Sequence, residues 1–135
     1  MGMYSKEQGI KILCPADCEN SPKKKVLKEL IIAFSTKNSN TISKYTMKDI
    51  CWNIVNDLTV QGNEKVAEVL ENRITSKIVQ IEILNIITHG KTASVNGTII
   101  LEDNTIYSFC NVYTFVSAGK STIKEITTYA IKMNG

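Results

Sequence analysis

Apolar residues fall at Val26, Leu27, Leu30, Ile31 and Phe34, the i, i+3, i+4 rhythm of one helical face. Just ahead of them Ser21 can cap a helix and Pro22 suits its first position, so the pattern predicts a helix entered at Ser21. The first 20 residues are then expected to be a lead-in. The "KNSN" stretch at 37–40 breaks the helix, and Thr41 to Tyr45 can form a short second one. Asp49 to Val55, "DICWNIV", reads as a strand by its aromatic and β-branched content, and a turn follows through Asn56 and Asp57. After Gly62, "NEKVAEVLENRI" offers Asn63 as a cap and sets Val66, Val69, Leu70 and Ile74 on one face, which predicts a third helix.

The second half of the chain has the other period. Four long β-runs, Lys77 to Thr88, Thr92 to Leu101, Thr105 to Val116 and Ser121 to Met133, are separated by the turn signals "HGK", "EDN" and "SAGK". They predict an antiparallel meander. Helices gathered first and strands last describe an α+β domain, N-terminal helices packed on one face of a curved antiparallel sheet, with residues 21–135 as one domain. In the third run Tyr107, Phe109, Asn111, Tyr113 and Phe115 share one face, so Asn111 is the polar exception in an aromatic row. A buried amide left unpaired costs about 1–3 kcal/mol. Either neighbouring hydroxyls and backbone satisfy it, or a ligand does.

The opposite face of the second and third runs reads Thr92, Ser94, Asn96, Thr98, Ile100 and Ser108, Cys110, Val112, Thr114, with no Lys or Glu. Strands facing solvent normally carry charge, so this face is expected to be covered. The helices are assigned to the other face, which leaves a second copy of the chain as the natural cover.

Composition narrows the function classes. The chain has 135 residues, 43% hydrophobic and 21% charged, enough for one core. Its net charge of +3 is spread thinly rather than blocked into a basic tail, so nucleic acid is not an expected partner. No apolar run approaches the roughly 18 residues of a membrane span, and "IKIL" is too short for a signal-peptide core, so a cytoplasmic protein with no membrane association is expected. Four cysteines do not make a dense disulfide framework, and reduced thiols are the default.

The order of elements, with "CWNIV" before "TVQGNEKVAEVL", then "HGKTASVNGTI", "YSFCNVYTF" and a closing "IKEITTYAI", resembles the nuclear transport factor 2-like superfamily over about Lys23 to Lys132. That superfamily includes ketosteroid isomerase, scytalone dehydratase, limonene epoxide hydrolase and SnoaL-like polyketide cyclases, beside non-catalytic binding and transport proteins. The resemblance implies a cystatin-like cone whose curved sheet and helices enclose a pocket, and a homodimer paired through the sheet. It does not imply a reaction, because one fold hosts many functions. Laid on this chain, the isomerase pattern puts its Tyr near Leu30, its Asp base near Ile54 and its protonated Asp on Asn111. Leu and Ile exchange no protons, and Asn donates a hydrogen bond without serving as acid or base. The hydrolase's Asp–Arg–Asp arrangement is not matched either, since the single arginine is Arg73 at the end of the third helix.

The reading is therefore a domain that binds a small, mostly apolar molecule in a pocket lined by Phe34, Trp52, Phe109, Asn111 and Tyr113, with no catalytic residue, metal or cofactor assigned. Two alternatives stand beside it. One is a SnoaL-like or isomerase-type enzyme acting on a polyketide- or steroid-like substrate through a carboxylate such as Glu125 or Asp57. The other is a structural dimer with a filled core. His89, the single histidine, sits at the "HG" turn and reads as a solvated turn residue or a base at a pocket rim. "CPADC" leaves three readings open for Cys14 and Cys18: a cap that pins the N-terminus, a redox pair, or half a metal site. Cys51 and Cys110 are expected to be buried and inert. Lys23, Lys24 and Lys25 read as a solvated face or as a contact for an acidic partner.

Overall fold

The structure, a computed structural model, describes residues 2–133, and the expected domain bounds at residues 1 and 135 lie outside the described residues. The chain opens with a hairpin: β1 (Gly2–Glu7) and β2 (Ile10–Pro15) pair antiparallel from Gly2 with Pro15 to Glu7 with Ile10. Gln8 (φ 50°) and Gly9 (φ 84°) both take positive φ, as a two-residue turn matched to strand twist requires. The first 20 residues are therefore not a lead-in. β2 continues into the sheet, pairing parallel with β5 (Ile78–His89) so that Ile12 stands beside Ile81, both fully buried. Ile10, Ile12, Cys14 and Cys18 all belong to the core.

Ser21 and Pro22 act as expected. Helix α1 (Pro22–Thr36) begins with the Ser21 hydroxyl accepting from the Lys24 N–H at 3.3 Å, and it ends where Lys37 turns left-handed at φ 57°. Asn38 then caps α2 (Ser39–Tyr45), its Oδ1 accepting from the Thr41 N–H at 3.2 Å. β3 (Thr46–Ile54) follows, longer than the pattern predicted, and it pairs with a three-residue strand, β4 (Thr59–Gln61), across the turn at Asn56 and Asp57. Helix α3 (Asn63–Arg73) is entered at Gly62 rather than capped by Asn63. β5, β6 (Thr92–Leu101), β7 (Ile106–Phe115) and β8 (Ile123–Lys132) make the expected meander.

All strands join one mixed sheet in the order β1-β2-β5-β6-β7-β8-β3-β4, with β3 returning parallel to β8. The three helices lie on one face, so the class is α+β. Among the described residues no helix is long and apolar enough to cross a membrane.

The sheet bends at its bulges. β5 carries register shifts between Ile78 and Gln80 and between Ile83 and Asn85, and β7 with β8 carries one at Thr114/Phe115. At the second shift in β5, Gly97 stands opposite Ile83, and a Cβ built on it would lie 1.9 Å from the Glu82 carbonyl oxygen. Only a residue without a side chain allows that approach.

Charge is used to tie α1 down. Lys23 Nζ donates to the carbonyls of Gly90 and Ala118 and lies 4.8 Å from the Phe115 ring centroid, which fastens the first turn of α1 to two strand ends. Lys24 pairs with Asp17 at 3.4 Å. Lys28, itself buried, pairs with Glu19 at 2.9 Å, and its charge faces the thiols of Cys14 and Cys18. Two of the three lysines at 23–25 thus fasten the helix to its neighbours. Cys14 and Cys18 are both free and buried, beside each other at the end of the hairpin. Cys51 and Cys110 are only half-buried, because strand alternation turns them to the face opposite Trp52 and Phe109.

Two outcomes test this architecture. Gly97→Ala forces backbone apart at the bend, and it should cost at least the roughly 1–3 kcal/mol typical of overpacking, read as a drop in denaturation midpoint. A neutral result would mean that the strands separate there at no cost. Burial and the Cys14 hydrogen bond push the Cys18 thiol up to about 12. The raised value favours the fold fully below the thiol's ordinary pKa, and that support is lost as pH rises from there toward about 12. Iodoacetamide at pH 8 should therefore modify the half-buried Cys51 well before Cys18, which reacts only on unfolding, as mass spectrometry of the digest would show. Equal rates at Cys18 and Cys51 would mean that the hairpin opens freely.

Candidate ligand pocket

The helix-covered face of the sheet does not close completely. A cavity of ≈ 170 Å³ remains between it and the helices. Leu30, Ile31, Phe34 and Ser35 of α1 form its roof with Leu70 of α3 and the adjacent Ile74. Trp52 of β3, Ile99 of β6, Tyr107, Phe109, Asn111 and Tyr113 of β7, and Ile126, Thr128 and Ala130 of β8 form its wall and floor. The parity read from the sequence holds: the aromatic row of β7 faces inward, and Val112 and Ile106 face out.

All five residues singled out in the sequence line this one cavity. The rings of Phe34 and Trp52 meet edge to face with centroids 5.0 Å apart. Tyr113 is 2% exposed and Phe109 6%, so the deep part of the cavity is walled by aromatic surface. Beyond Tyr113 along β7, Phe115 and Ile123 are both fully buried, and the Lys23 ammonium lies over the Phe115 ring. The half-buried Tyr107 and the exposed Ala130 mark the open end.

Asn111 is not an isolated amide. Register places it directly opposite Thr128, whose hydroxyl donates to Asn111 Oδ1 at 2.7 Å. The same hydroxyl accepts from the Trp52 indole N–H at 2.8 Å, and Asn111 Nδ2 donates to the Tyr113 hydroxyl oxygen at 3.0 Å. Trp52, Thr128, Asn111 and Tyr113 thus form one polar relay across three strands of an apolar cavity. Burial pushes the Tyr113 phenol well above its ordinary pKa, against the opposing pull of the Asn111 bond, so it stays neutral through the physiological range. The Ser35 hydroxyl is turned back to the Ile31 carbonyl of its own helix at 3.0 Å.

Thr128 is the member the sequence did not disclose. Ile126 and Ala130 share its face, and that parity is the signal that would separate it from Thr127. Leu30 lines the cavity, whereas Ile54 packs against the core without reaching it.

The carboxylates considered for catalysis lie elsewhere. Asp57 pairs with Arg73 at 2.7 Å on the surface, and Glu125 is exposed. His89 ends β5 in an exposed turn. Among the described residues no Asp, Glu, His, Lys or Arg lines the cavity, and no group of His, Cys, Asp and Glu could hold a metal ion.

Neither a family model nor a curated protein sequence matches the chain. Solved structures do. A nuclear transport factor 2-like protein of unknown function from Burkholderia xenovorans superposes with a TM-score of 0.71 at 12% identity, over 89% of this chain and 90% of that one. Another of unknown function, from Cytophaga hutchinsonii, gives 0.64 at 16% identity over 81% and 89%. An LEH-like epoxide hydrolase of M. tuberculosis gives 0.64 at 14% identity over 79% and 80%. Identities this low speak for architecture alone, and what they establish is that the chain has the nuclear transport factor 2-like fold.

Proposed function

We propose that the chain is a binding module that holds a small, mostly apolar molecule in this pocket, against Phe34, Trp52, Phe109, Asn111 and Tyr113. One observation carries the reading: the cavity is apolar, and among the described residues the ionisable groups on its wall are two phenols, Tyr107 and Tyr113. Proton transfer near neutral pH needs a group whose pKa lies near the working pH, and a phenol raised by burial is far from it. An enzyme of the isomerase or cyclase kind would need a carboxylate at the cavity, and Asp57 and Glu125 are both outside it. A structural dimer with a filled core would leave no such space.

Size restricts the ligand. An apolar cavity of about 150 Å³ is enough to hold benzene, whereas drug-sized ligands occupy about 300 Å³ or more. A space of ≈ 170 Å³ suits one ring with a small substituent. Anything of steroid or polyketide size would have to project past Tyr107.

Assembly is the second part of the proposal. The sheet face away from the helices exposes Ile87 (61%), Tyr129 (48%), Val112 (40%) and Ile131 (67%) among uncharged Thr92, Ser94, Asn96 and Thr98. Glu82 and Glu125 stand at the two ends of this face, beside Thr98 and Thr114. Clustered exposed apolar side chains between them are the mark of an interaction surface, and we take the partner to be a second copy of the chain.

Binding is tested by adding ethylbenzene while following Trp52, the single tryptophan and part of the pocket wall. Saturable change in its fluorescence is expected, and Ile99→Phe, which fills the cavity, should abolish it with stability held within about 1.5 kcal/mol. An unaltered titration in that variant would remove the pocket from the account. Assembly is tested by Val112→Glu, which puts a charge among the exposed apolar residues of that face. Monomers are expected by sedimentation, with the thermal midpoint of the monomer near that of the parent. A parent already monomeric at tens of micromolar would end the dimer proposal.

A further inference from the structure

The end of the first hairpin holds a cluster of side chains that the ligand pocket does not use. Cys14 closes the inward-facing row Ile10, Ile12, Cys14 of β2. The Cys18 N–H donates to the Pro15 carbonyl at 3.1 Å, so a tight turn returns Cys18 to the strand end that carries Cys14. There the Cys18 thiol donates to the Cys14 sulfur, and the two residues are only 1% and 4% exposed. Asp17 and Glu19, on either side of Cys18 in sequence, pair with Lys24 and Lys28, which stand one turn apart on α1. These ion pairs hold the turn against the helix with Cys18 facing inward. Lys28 is itself buried, and its charge faces both sulfurs. A single buried cysteine is a small hydrophobe, whereas two thiols in contact beside an ammonium have a chemistry of their own.

We propose that Cys14 and Cys18 are an oxidation site, which hydrogen peroxide converts to a reversible disulfide, Cys14 meeting the oxidant and Cys18 closing the bond. The roles follow from the hydrogen bond between them. Cys18 is the donor, and burial together with Cys14 pushes its thiol up to about 12, so it keeps its proton at neutral pH. Negative charge on Cys14 is met by the Cys18 S–H and by the Lys28 ammonium. The Cys14 proton passes to water, and the thiolate attacks one peroxide oxygen. The S–O bond forms as O–O breaks, and the departing hydroxide takes up a proton to become water. The Cys18 sulfur then attacks the Cys14 sulfur. S–S forms as S–O breaks, and the second hydroxide leaves with the Cys18 proton as water. The two sulfurs give up two electrons and the peroxide gains them. Burial of both thiols favours an oxidant little larger than water over bulky disulfides. Neither cysteine lines the ligand cavity, so the site stands apart from the binding role.

The test treats the reduced full chain with hydrogen peroxide at neutral pH, quenches with iodoacetamide in denaturant, and follows the tryptic peptide Ile12–Lys23, which carries both cysteines. That peptide should become two hydrogens lighter, regain them with dithiothreitol, and do so at a rate about tenfold above the oxidation of Cys51 or Cys110, half-buried thiols that serve as internal controls. Cys18→Ser should stop at the Cys14 sulfenic acid, trapped by dimedone added with the denaturant. Cys14→Ser should leave Cys18 unoxidised under the same treatment. The measurement on the parent chain stands by itself if either variant fails to fold. Oxidation of Cys51 or Cys110 while the Ile12–Lys23 peptide keeps both thiols would overturn the site. Dimedone on Cys18 in Cys14→Ser, with none on Cys14 in Cys18→Ser, would overturn the roles.

Discussion

The cavity depends on the approach of Gly97 to the Glu82 carbonyl. A regular antiparallel sheet of this size would lie open, and helices packed on it would close down to contact along its whole length. Here β5 carries an extra residue at Ile83/Asn85, and the neighbouring strand yields to the bend because Gly97 has no Cβ to strike the Glu82 oxygen. Gly97 stands next to Phe109 in the adjoining strand, so the bend lies under the aromatic floor. The concave face curls around α1 and α3, and the space left between is the pocket.

The bend makes a space, and strand register decides what lines it. Asn111 stands opposite Thr128 only in the observed pairing of β7 with β8, and Trp52 reaches Thr128 because β3 returns parallel beside β8. A slip of one residue would turn Val112 and Thr127 inward and send Asn111 to the outer face. The large apolar residues Ile126, Phe109 and Tyr113 oppose such a slip, since they would be exposed with it. The apolar core therefore holds the polar relay in place, and the relay needs no ion to hold it together.

Much of this was readable in the sequence because the determinants were local. Ser21 with Pro22 marked the start of α1, the "KNSN" break marked its end, and the alternation from Tyr107 to Phe115 gave the inner face of β7 and with it the aromatic wall. What escaped was set at long range. Ile10 to Pro15 joins the sheet through a parallel pairing with residues some 70 positions later, and no local period encodes a partner so remote. Thr128 was missed because it sits beside Thr127, and the choice between them depends on the register of β8 against β7. Cys110 was expected to be buried from the apolar run around it, yet alternation within that run turns it outward with Val112.

The placement of charge separates the two ends of the molecule. Lys23, Lys24 and Lys28 meet carbonyls, Asp17 and Glu19 at the start of α1, and Lys23 lies across Phe115 where the strands converge. These bonds fasten the start of α1 to its neighbours. Toward Tyr107 and Ala130 the lining is apolar, and the Arg73–Asp57 pair at 2.7 Å ties the end of α3 to the turn after β3. Apolar contacts are non-directional and reform after small displacements, so the part of the roof at Phe34 can yield while the start of α1 stays fastened.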